Sequence, residues 1–148
     1  MAKFYSDVDE TCLRCRAAEA TLTHMFWSCP SLSEYWSAIF SILSQALSLN
    51  LQPNAYTAIF GTVLMEEQIL TRHKDIIAFA TLLARRRILL LWKSSKPPSI
   101  SLWLSDIMLY LSLEKIKYTL RGSKNLFYTT WDPVISFINE LKTLPDSP

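Results

Sequence analysis

Two glycines, Gly61 and Gly122, serve a chain of 148 residues. The tight turns of β-hairpins rely on positive φ, which glycine supplies at least cost. An all-β fold is therefore poorly provided for, and a glycine-rich phosphate loop lacks its raw material. Half of the residues are hydrophobic, far from a disordered composition, and the length suffices for one domain with a real core. These constraints point to a mainly α fold.

The apolar spacing agrees. Ser31-Leu32-Ser33-Glu34 reads as a capping box, with Ser31 accepting from the backbone at Glu34. Trp36, Ile39, Phe40, Leu43 and Leu47 follow at steps of three and four, the period of one buried helical face. Asn54 is placed to cap a short helix that Gly61 stops. From Glu66 to Lys93 a long helix is expected, with no glycine or proline inside. Ser99 or Ser101 starts the next, which carries Ile100, Trp103, Leu104, Ile107 and Leu111 inward and ends at Gly122. The aromatic run NLFYTTW at 125–131 is expected as a short strand or extended connector. Asp132-Pro133 then opens a last helix bearing Val134, Phe137, Ile138 and Leu141.

All three cysteines fall within eighteen positions, as Cys12-x2-Cys15-x8-His24-x4-Cys29. Three soft thiolates and an imidazole suit zinc in tetrahedral geometry, and four protein ligands leave no position for an activated water, so the site is structural. An odd cysteine count argues against a secreted disulfide framework. Buried thiols are the bland alternative, but they do not explain the crowding around His24. A redox pair at Cys12 and Cys15 lacks the surrounding βαβ pattern. Few apolar residues lie between Cys12 and Thr21, so a metal is also what would fold this segment. The expected organisation is a CCHC zinc-knuckle segment over 1–30 and a helical body over 31–148.

The segment CLRCRAAEATLTHMFWSCPSLSEYW resembles the zinc-binding region at the C-terminus of LINE-type (non-LTR) retrotransposon reverse transcriptases. There a Cys-x2-Cys pair precedes an acidic residue, then His-x4-Cys-Pro, then an aromatic-rich helix. Cys12, Cys15, Glu19, His24, Phe26, Trp27, Cys29, Pro30 and Trp36 match. The stretches LLARRRILLLWKSSKPPS, LEKIKYTLR and FYTTWDPVISFI are similar, more loosely, to the tail of the same polyproteins. The resemblance implies a non-catalytic tail that binds RNA or single-stranded nucleic acid during target-primed reverse transcription, beside an upstream reverse transcriptase domain. It also implies a fragment of the polyprotein or a truncated reading frame. The eight-residue gap before His24 differs from the four-residue gap of the retroviral knuckle, whose base-binding mode is not carried over.

Charge placement bears on partners. Residues 1–40 hold three basic and five acidic side chains, whereas residues 71–96 hold seven basic and one acidic. On a helix Arg85, Arg86 and Arg87 fan across about 200°, too wide for one ligand. They form either a solvated strip with alkyl stems on the core or, with Lys93, a phosphate-binding patch. Arg14 and Arg16 flank Cys15 as further candidate phosphate contacts, and Trp27, between two expected ligands, is the best candidate for base stacking. About five phosphate contacts on a single strand would give a log-log salt slope near −3.5. A structural or protein-interaction module supporting upstream catalytic domains is the alternative reading.

No catalytic constellation is apparent. The pairs Asp9-Glu10 and Glu66-Glu67 read as solvated surface or helix starts, and the clustered carboxylates of a two-metal polymerase are lacking. No small-molecule substrate is indicated. The polar, acidic start carries no signal-peptide pattern. The longest apolar run, 76–84, meets three arginines well short of the roughly 20 residues of a membrane span. An intracellular location, cytoplasmic and nuclear, is expected.

Overall fold

The computed structural model describes residues 11–63 and 69–143. The fold is mainly α. A small Cys/His knuckle ends in a π-helical turn, His24–Ser28, and a 3₁₀ turn, Pro30–Leu32. Five α-helices follow: α1 (Ser33–Leu47), α2 (Ala55–Phe60), α3 (Thr71–Leu90), α4 (Ile100–Leu120) and α5 (Lys124–Thr143). Among the described residues the only β pairing is an isolated antiparallel bridge between Thr11 and Glu19.

Helix α1 buries Trp36, Ile39, Phe40, Leu43 and Leu47, the expected face. The capping box does not form: the N-cap is Leu32, with no side-chain hydrogen bond. Pro30 opens a 3₁₀ turn that already contains Ser31, so Ser31 lies inside a turn and is not the N-cap of α1. Leu32 N–H donates to Cys29 O at 2.9 Å, and Ser33 N–H to Pro30 O. Leu32, wholly buried, holds the turn in place.

Asn54 caps α2 as expected, its side chain accepting from Thr57 N–H at 2.8 Å. Gly61 ends it at φ +74°, and a Cβ there would meet Thr81 Oγ1 at 3.2 Å and the α3 backbone at Ala78 Cα at 3.4 Å. Gly61→Ala should therefore cost about 1–2 kcal/mol from the positive φ alone, read as a lower urea midpoint at unchanged m-value.

The expected start of the long helix at Glu66, like the pairs Asp9-Glu10 and Glu66-Glu67, lies outside the described residues. Ile69 and Leu70 are non-helical, and α3 begins at Thr71 and stops at Leu90, with Leu91–Lys93 forming a turn. Ser99 caps α4, accepting from Leu102 N–H, and Gly122 follows its end at φ +72°.

Residues 125–131 are neither strand nor connector but the first turns of α5. Ser123 O accepts from Leu126 and Phe127 N–H, starting the helix before the aromatics. Phe127, Trp131, Val134 and Ile138 then bury one continuous face. Asp132-Pro133 is not a helix start: Pro133 sits inside α5, where its missing N–H leaves the Thr129 carbonyl without the usual partner. Tertiary burial of that face outweighs the β preference of the aromatic run.

One core joins all of this. Trp36, Phe40, Trp103 and Phe127 are its largest fully buried members, and Met25, Cys12 and Cys29 of the knuckle belong to the same cluster. Tyr35 Oη donates to Ala84 O at 2.9 Å, tying α1 to α3. Trp103 Nε1 donates to Ala80 O at 2.9 Å, tying α4 to α3.

Candidate metal centre

The first arm of the centre is a tight loop. Cys12 N–H donates to Ala18 O at 2.8 Å and Arg16 N–H to Cys12 O at 2.9 Å. Arg16 takes up the reversal at φ 59°, a conformation uncommon outside glycine. The loop turns Cys12 and Cys15 toward one point.

The second arm depends on the π turn. On a regular α-helix, residues five apart lie about 140° around the axis from one another. The i→i+5 bond of a π turn narrows that angle, and Cys29 N–H donates to His24 O at 3.0 Å. His24 and Cys29 are thus brought to the same side. Thr21 Oγ1 accepts from His24 N–H at 3.1 Å and anchors the turn at its start.

The four candidate ligand atoms converge, all within 4.8 Å of one another. Cys12 Sγ lies 3.8 Å from Cys29 Sγ, and Cys15 Sγ 3.3 Å from His24 Nε2. A tetrahedral ion with the usual zinc–sulfur and zinc–nitrogen bonds would separate two sulfurs by about 3.8 Å and a sulfur from a nitrogen by about 3.5 Å. The residues therefore fit a metal ion held by three thiolates and an imidazole. Cys12, Cys29 and His24 are buried, and Cys15 is half-buried.

The electrostatics fit as well. Burial opposes the Cys12 thiolate, but the backbone N–H groups of Cys15 and Arg14, with contacts from His24 and Cys29, bring its pKa down to about 6. Burial pushes Cys29 up, and the neighbouring Cys12 sulfur adds to this. Arg14 is 7% exposed, and its Nη2 donates to Met25 O. Its Nε and Nη1 have no hydrogen-bond partner among the described residues. A buried guanidinium so poorly satisfied is costly unless an opposite charge lies close. Three thiolates, a divalent ion and a neutral imidazole together carry one negative charge, which Arg14 would balance.

The knuckle is fastened to the helices by aromatic contacts. Trp36 Nε1 donates to Phe26 O at 2.7 Å. The rings of Phe26 and Trp92 lie 5.4 Å apart, and those of Trp27 and Trp36 5.9 Å apart.

The other sequence-selected residues are dispersed. Arg14 faces inward instead of flanking the turn toward solvent, whereas Arg16 and Lys93 are exposed. Arg85 Nη1 donates to Ala58 O at 2.8 Å, and burial lowers its pKa. Arg87 grips Asp106 with two bonds, of 2.5 and 2.8 Å, which raise its pKa. Arg86, with a side chain 41% exposed, reaches Asp106 at 3.6 Å and lies over the Tyr110 ring. The three arginines thus serve the α2–α3–α4 packing. Trp27 is half-buried and lines an open cleft of about 580 Å³ with Cys29, Pro30, Trp36 and Pro53. Asp106 was the residue sequence reasoning missed. Its only signal was a lone carboxylate on the inward side of α4, one residue before the core position Ile107.

Among the described residues, no helix is long and apolar enough to cross a membrane. No family model matches the chain, and no solved structure matches it.

Proposed function

We propose that this chain is a zinc-stabilised, non-catalytic module of the kind found at the C-terminus of LINE-type reverse transcriptases, serving structure and protein contact for upstream catalytic domains. The observation that carries the reading is the convergence of four candidate ligands: the ligand atoms of Cys12, Cys15, His24 and Cys29 lie within 4.8 Å of one another, and three of these residues are buried. Zinc in such a site supplies folding energy, with no open position for a reacting water. The inward engagement of Arg14, Arg85 and Arg87 supports a structural role for the basic cluster.

A second reading, binding of RNA or single-stranded nucleic acid, is favoured by the exposed Arg16 and Lys93, the half-exposed Arg86 and the Trp27 cleft. Elemental analysis and a filter-binding salt series separate the two. The module reading expects one zinc per chain and no salt-sensitive retention of single-stranded RNA. A log-log slope near −2, about three phosphate contacts, would replace it with the second reading. Purified chain without a thiophilic metal would sink both.

A further inference from the structure

Helix α4 is apolar on two sides. Its inward side buries Trp103, Ile107 and Leu111. On the other side, Leu102, Leu109, Leu113, Ile116 and Leu120 are 47–83% exposed. At 100° per residue these five fall within about 60° of arc and extend over about 27 Å. A helix that is hydrophobic all round ordinarily lies buried, yet this stripe is left exposed among the described residues. It contains no charged residue. Ser105, Ser112 and Thr119, all exposed, form one flank with small side chains that permit close approach.

The spacing of the stripe specifies its partner. Leu102 and Leu120 lie nine positions either side of Leu111, and Leu109 and Leu113 two positions either side. Turned end for end about that midpoint, these four leucines map onto one another, while Ile116 falls opposite the position of Asp106, which Arg87 already holds. A twofold interface requires this self-complementarity, and an unrelated partner has no need of it. The exposed stripe amounts to apolar surface on the order of 500 Å² per copy, so a pair buries on the order of 1,000 Å², where specific interfaces begin. We propose that α4 pairs with α4 of a second copy of this chain, antiparallel, with Leu109 of one copy against Leu113 of the other and Leu102 against Leu120. This rests on the protein-contact reading above and names the partner. It uses none of the metal ligands.

Sedimentation equilibrium of the full metal-loaded chain tests it. The wild type should show a concentration-dependent dimer in the micromolar range. Leu109→Lys should weaken dimerisation on the order of 100-fold, because each copy buries an unpaired ammonium. Leu113→Glu should act alike. Mixing these two variants should restore a dimer holding one of each, since the new charges then oppose one another across the interface. Mixing Leu109→Lys with Leu109→Glu should not, because position 109 does not face its own copy. A wild type that stays monomeric, a Leu109→Lys chain that dimerises as tightly as wild type, or rescue by Leu109→Glu in place of Leu113→Glu would each overturn the proposal. Circular dichroism and metal stoichiometry, expected unchanged in all variants, keep its failure separate from failure of the zinc-module reading.

Discussion

Cys12→Ser is expected to bring metal content from one ion per chain to near zero and to unfold the knuckle while the helical body persists. A serine hydroxyl is a poor replacement for a thiolate toward a soft ion, and apparent binding energies of about 10–16 kcal/mol are at stake in sites of this type. The segment has little else to hold it, for residues 16–23 are exposed throughout. The body should feel the loss through Met25 and through the Trp36 bond to Phe26 O. A loss there of about 3 kcal/mol corresponds to roughly 10 °C in melting temperature. Calorimetry with elemental analysis, repeated on Cys12→Ala and on chelator-treated wild type, checks it. If Cys12→Ser kept the ion at wild-type affinity, the four-ligand centre would be wrong.

Asp106→Ala is the second large effect, expected at about 3–4 kcal/mol. Asp106 is 5% exposed and receives two bonds from Arg87 and a longer contact from Arg86. Removing the carboxylate strands a partly buried guanidinium, and breaking such a pair costs more than the pair contributes. The double replacement Asp106→Leu/Arg87→Met should recover most of the loss, since an apolar pair of similar volume needs no desolvation. Urea denaturation of the set provides the cycle. A loss below about 1 kcal/mol for the single variant would mean that solvent already screens the pair.

Where sequence and structure agree, the agreement is local. The Cys-x2-Cys and His-x4-Cys spacings state ligand chemistry directly, and Asn54, Ser99, Gly61 and Gly122 mark helix ends through their own backbone preferences. The features that did not show depend on distant contacts. Whether Arg85 and Arg87 face solvent is decided by Ala58 O and Asp106, 27 and 19 residues away. The helical state of 125–131 is decided by what Phe127 and Trp131 pack against, including Phe79 of α3 at 4.9 Å from Trp131. The π turn that aligns His24 with Cys29 has no residue signature in the chain.

The unequal cover of the four ligands has a kinetic corollary. Cys12, Cys29 and His24 are buried, whereas Cys15 is half-buried in a loop bent at Arg16. A chelator or an oxidant thus meets the cluster most openly at Cys15. Exchange should proceed by detachment of that one sulfur, so the lifetime of the loaded state is governed by the loop around residue 15 more than by the strength of the other three bonds.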